Sequence, residues 1–81
     1  MRELLCEVLS ICHKISTGSV ADVFFQYAPH CNTYDVFVYR DGFDADVEAD
    51  WLDLATEIAE DNLGLTIFKL RNLAKKIGVE L

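Results

Sequence analysis

Apolar residues between Glu3 and Ile15 fall at Leu4, Leu5, Val8, Leu9, Ile11, Cys12 and Ile15, the spacing that gathers side chains on one broad face of a helix. Glu3, Glu7, Ser10 and Lys14 take the other face, so an amphipathic helix is predicted. Ser16-Thr17-Gly18-Ser19 ends it with turn chemistry. From Val20 to Ala28 the chain becomes rich in β-branched and aromatic residues, which predicts a strand, and Tyr34 to Arg40 predicts a second. Between them, Pro29 presets one turn dihedral and Asn32 suits a left-handed one, giving a hairpin that Asp41-Gly42 closes off. Val23, Phe25 and Tyr27 alternate with Phe24, and Val36 and Val38 with Phe37 and Tyr39, so both faces of the hairpin are apolar. One face is expected to lie on helices; the other then needs cover from a helix, a second copy or a partner.

Beyond Gly42-Phe43 the acidic residues Asp46, Asp50, Asp53, Glu57 and Glu60 step by helical intervals, and Val47, Trp51, Leu54 and Ile58 follow one residue later. This rhythm predicts a second helix with a carboxylate ridge and an apolar stripe. Asp44 or Asp46 is its candidate N-cap, and Asn62-Leu63-Gly64 its stop signal. Glu60 and Asp61 sit at the unfavourable end of that helix's dipole. Thr66 can cap a last helix, stapled by Leu65 and Leu70 and buried along Ile67, Leu70, Leu73, Ala74 and Ile77, with a Schellman ending at Gly78-Val79. The expectation is one α+β domain over residues 1–81, a helix, a two-stranded antiparallel hairpin and two helices in the order α-β-β-α-α.

Charge changes the functional picture more than the fold. Nine carboxylates lie between Asp41 and Asn62 with no Lys, Arg or His among them, and the net charge of the 81 residues is −7. That sign argues against direct nucleic-acid binding and against anionic membrane surfaces, and it favours basic protein surfaces. No stretch approaches the length of apolar sequence that spans a bilayer, and the start of the chain lacks the pattern of a signal peptide. Three cysteines at no recognisable spacing fit a reducing compartment, so a cytoplasmic protein is expected.

Two readings of the ridge stay open. It is a solvated face that keeps the domain soluble, or a row of charges that imitates phosphates and occupies a basic groove on a partner. Calcium fits poorly, because counting from Asp44 the sixth position is Ala49 and the twelfth is Ala55, where an EF-hand needs Gly and Glu. Zinc held by Cys12, His13, His30 and Cys31 is an alternative weakened by ligands that adjoin in sequence. Neither a cofactor nor a metal is expected, and no nucleophile motif or phosphate loop is present. Among the aromatics, the amphipathic rings of Tyr27, Tyr34, Tyr39 and Trp51 are the candidates for an interface.

The stretch Phe25-Gln26-Tyr27-Ala28-Pro29-His30-Cys31-Asn32, continuing through Val36-Phe37-Val38-Tyr39 to Gly42-Phe43, resembles small uncharacterised phage and prophage proteins. In those an aromatic strand leads through an H-x-N loop into a V-x-V-Y strand; here Pro29 stands where Gly is expected. The resemblance implies a phage-encoded accessory protein that binds host machinery, and no catalytic residues. The resulting expectation is a non-catalytic inhibitor or accessory domain, a homodimer, whose ridge engages a basic surface of a nucleic-acid-binding host protein. The alternative is a homo-oligomeric structural module joined through the aromatic hairpin.

Overall fold

The computed structural model describes all residues from Met1 to Leu81. Helix α1 covers Arg2–Gly18, strands β1, β2 and β3 cover Asp22–Ala28, Thr33–Tyr39 and Asp50–Glu57, and helix α2 covers Glu60–Ile77. The strands form one antiparallel sheet in the order β1-β2-β3. The α+β class and the hairpin stand as expected. The α-β-β-α-α order does not: the acidic segment is a loop and a third strand, and one helix replaces the last two.

Electrostatics and pairing explain that correction. A helix through residues 46–61 would stack four like-charged pairs, each costing about 0.2–0.5 kcal/mol, on Asp-rich sequence of low helix propensity. As a strand, the same residues disperse: Asp50 pairs with Arg40 at 2.8 Å and Asp53 turns inward to Lys69 at 3.0 Å. The third strand also gives β2 a neighbour on both edges, and Val36 and Val38 at its centre are fully buried. Glu60 and Asp61 now occupy the first turn of α2, where the positive end of the dipole favours them, and Lys75 and Lys76 occupy the last. The Schellman ending is present: Gly78 adopts φ 80°, and the Val79 N–H donates to the Ala74 carbonyl at 2.8 Å. In the hairpin turn Asn32 takes φ 55°, as its side chain permits.

Both helices pack on one side of the sheet, α1 over β1 and α2 over β3. Their core combines Val8, Ile11, Cys12 and Ile15 of α1, Leu63, Ile67, Leu70 and Leu73 of α2, and Tyr34, Val36 and Val38 of β2. The result is a two-layer slab measuring 30 × 29 × 15 Å. Strand β3 is irregular. Opposite Tyr34 and Val36 it runs from Thr56 to Asp53, one residue more than β2, and opposite Val36 and Phe37 it gains another. Ala55 absorbs the first bulge at φ 47°, its N–H donating to Asp35 Oδ1 at 2.7 Å. The bulges let Asp53 face the helices while Trp51 faces away.

Two outcomes follow from these environments. Gly64, read from sequence as a stop, lies within α2 with nothing inside 4 Å of an added Cβ, so Gly64→Ala is expected to add about 0.5–1 kcal/mol of stability; urea unfolding with an unchanged slope checks it. Burial raises the Cys12 thiol from 9.0 to about 11 and also raises the Tyr34 hydroxyl. Both groups are held neutral by the fold: the Cys12 contribution is complete below pH 9.0 and drains away as pH rises through about 11, and the Tyr34 contribution is likewise lost on the alkaline side. Alkaline titration of the unfolding midpoint reads this out, and alkylation of the native chain near neutrality is expected to modify the exposed Cys6 and Cys31 but spare Cys12.

Candidate interaction surface: the open face of the sheet

A buried polar relay sets the sheet against α2. The Thr66 hydroxyl lies 2.7 Å from Asp53 Oδ2, 2.7 Å from the Tyr34 hydroxyl and 3.0 Å from the Asn62 carbonyl. It has one hydrogen, and the carboxylate is the strongest acceptor, so Tyr34 donates to Thr66 and Thr66 donates to Asp53. Lys69 Nζ completes the chain, donating to Asp53 Oδ1 at 3.0 Å and to the Leu52 carbonyl at 3.1 Å. Burial of Tyr34, first, and the nearby Asp53 charge raise its hydroxyl, against a lowering by the Thr66 hydrogen bond. Tyr34 is 1 % exposed, Thr66 is fully enclosed and Asp53 is 9 % exposed, so the relay ties β2, β3 and α2 together and offers nothing to a ligand.

The other side of the sheet has no helix over it. Phe24 stacks on Phe37 with ring centroids 5.1 Å apart, Phe37 meets Trp51 at 4.7 Å, and Tyr39 meets Phe43 edge-on at 5.1 Å. Phe24 also contacts Tyr39 and Phe43, so five rings from three strands and one loop form a single cluster. Phe43 reaches the cluster because Gly42, at φ 96°, turns the loop back over the sheet, and Asp22 Oδ2 accepts the Phe43 N–H at 2.7 Å. An added Cβ at Gly42 would sit 3.3 Å from the Val20 carbonyl oxygen, a second reason for glycine there. Phe37 is nearly covered by its neighbours, but Trp51 is 52 % and Phe43 59 % exposed. These rings form an exposed aromatic patch on the uncovered face of the sheet.

Beside the rings, residues 40–50 enclose a depression of about 320 Å³ against the end of β2. Asp41, Asp44, Glu48 and Asp50 line it, with Tyr39 at its aromatic side and Arg40 the one cation. Arg40 is already engaged by Asp50 at 2.8 Å, so the depression is strongly negative.

The ridge expected from sequence is not a ridge. Asp46 lies in the loop, its N–H donating to Asp44 Oδ1; Asp50 and Glu57 lie at the two ends of β3; Glu60 begins α2. Asp53 leaves the surface altogether for the relay. Of the four interface aromatics, Trp51 and Tyr39 belong to the open face, while Tyr34 is core and stacks on Phe25 at 5.6 Å. Tyr27 pairs with Tyr34 across the hairpin on the helical side, although it is exposed. Phe24, Phe37 and Phe43 join the open face although sequence reading did not single them out; the alternation of Phe24 and Phe37 with Val23, Phe25, Val36 and Val38 was the available signal, and Phe43, in the loop, had none. No three of the His, Cys, Asp and Glu side chains are grouped to hold a metal, and Cys12 is in the core while His30 and Cys31 sit in the exposed turn.

Comparisons with protein-family models, curated proteins and solved structures each return no match.

The relay yields an ordered pair of outcomes. Thr66→Val strips partners from both the Tyr34 hydroxyl and the Asp53 carboxylate and is expected to cost about 2–4 kcal/mol, against about 1 kcal/mol for Tyr34→Phe, which removes only the terminal donor. Chemical denaturation of the two variants checks the order.

Proposed function

We propose that this chain is a non-catalytic protein-binding domain that uses its open aromatic face, with the acidic depression beside it, to dock on a basic and apolar protein surface. The juxtaposition of five clustered rings with a pocket lined by Asp41, Asp44, Glu48 and Asp50 carries the reading. Rings supply most of the affinity of such contacts, and the carboxylates select a partner bearing Lys or Arg and speed its approach. Surfaces that combine Lys and Arg with apolar residues are those by which proteins hold nucleic acid, so the domain suits an inhibitor or accessory role in which its acids stand where phosphates would. The likeness of its hairpin to phage and prophage proteins supports such a role against a host protein in the cytoplasm. No helix is long and apolar enough to cross a membrane, and the three cysteines are free.

A designed amphipathic helical peptide of leucine and lysine is the probe. Saturable binding that weakens as salt rises is expected, with the Trp51→Ala, Phe43→Ala double variant losing about tenfold or more in affinity. Replacing Asp44 and Glu48 by Asn and Gln is expected to flatten the salt dependence. Undiminished binding by the aromatic double variant would remove this face as the docking surface.

A further inference from the structure

Charge is divided between the two layers of the slab. The helices and the segment after α2 hold six of the seven Lys and Arg residues against five carboxylates, Glu3, Glu7, Glu60, Asp61 and Glu80. The sheet and its loops hold nine carboxylates against Arg40 alone. With Asp53 turned inward to Lys69, two sheet faces laid together would still oppose carboxylates with carboxylates. The helical layer is the one part of this molecule with an excess of cations.

That layer also has an unpartnered apolar strip. On α2 the residues Leu65, Phe68, Arg71, Asn72 and Lys75 recur at helical spacing on the side opposite the buried Thr66, Leu70 and Leu73. Leu65 is 58 % and Phe68 62 % exposed. Phe68, Arg71 and Lys75 line, with the segment from Val79 to Leu81, a depression of about 540 Å³, the largest on the surface. Arg71 bridges to Glu7 of α1 at 3.0 Å, which fixes its position beside Phe68. The back of the slab thus offers one ring, Phe68, with aliphatic surface and cations beside the single carboxylate of Glu80, and the front offers rings and carboxylates.

We propose that the open sheet face of one copy binds the helical layer of a second copy head to tail, with Trp51 and Phe43 packed against Leu65 and Phe68 and the acidic loop facing Arg71 and Lys75. This rests on reading the sheet face as a docking surface for a basic, apolar partner, and it names that partner. Each broad face of the slab measures 30 by 29 Å, comparable with the ~800 Å² per partner of a standard interface. Because the two surfaces in contact differ, every dimer keeps one free face of each kind, and the contact repeats along a stack until a ring closes.

Mixing of half-blocked chains tests this. One variant carries Trp51→Ala and Phe43→Ala on the sheet face; the other carries Phe68→Ala and Lys75→Glu on the helical layer, all at exposed positions. In light scattering at high micromolar concentration, wild type is expected to grow beyond the dimer as concentration rises. Each variant alone is expected to be monomeric, and their equimolar mixture to form a dimer and stop there. Circular dichroism confirms that both variants are folded. Association by the helical-layer variant on its own would overturn the proposal in favour of sheet-to-sheet pairing, and a strictly monomeric wild type would overturn it outright. A monomer that still binds the leucine–lysine peptide through Trp51 and Phe43 leaves the docking reading intact, whereas one that binds neither removes both.

Discussion

The inward turn of one carboxylate organises this domain. Asp53 sits in an acidic segment that would otherwise be drawn to solvent, and the bulges of β3 set it facing the helices, within reach of Thr66 and Lys69. A buried carboxylate is costly unless its oxygens are satisfied, and here both are: Oδ2 by the Thr66 hydroxyl and Oδ1 by Lys69 Nζ. Tyr34 extends the chain into the central strand. Because the relay holds the register of β3 against both β2 and α2, a slip of either element would strand a charge in the core.

The open face depends on that register. With Asp53 inward, Trp51 falls outward onto Phe37, and the loop that precedes β3 lies where Phe43 can join Phe24 and Tyr39. The carboxylates of that loop are then gathered beside the rings rather than strung along a helix. The acids therefore divide by environment. Asp53 serves the fold, Asp50 holds Arg40, and Asp41, Asp44 and Glu48 are left to meet solvent or a partner.

The end of α1, the end of α2 and the hairpin were legible because their signals are local, whereas the start of α2 was not: Thr66, read as its cap, is buried inside a helix that begins at Glu60. Turn chemistry at Ser16 to Ser19, the left-handed Asn32 and the Schellman glycine Gly78 each require only neighbouring residues. Between Asp41 and Asn62 the helical periodicity is regular on paper, yet the segment pairs as a strand. The contrary signal was already in the chain: Glu60 and Asp61 are misplaced at a helix C-terminus and well placed at an N-terminus, where the structure puts them. Asp53 gave no local sign, since its two partners lie 13 and 16 residues away on α2.

By itself the sequence determined the α+β class, a hairpin apolar on both faces, a strongly acidic middle and a C-terminal helix with cations at its end, because propensity, alternation and charge are properties of neighbours. Tertiary structure alone decided that the acidic block became a third strand, which side of the sheet stayed open, and which carboxylates reached solvent. Those outcomes turn on strand pairing with β2 and on the buried contact of Asp53 with Thr66 and Lys69, and interactions between residues distant in sequence override local periodicity wherever burial is at stake.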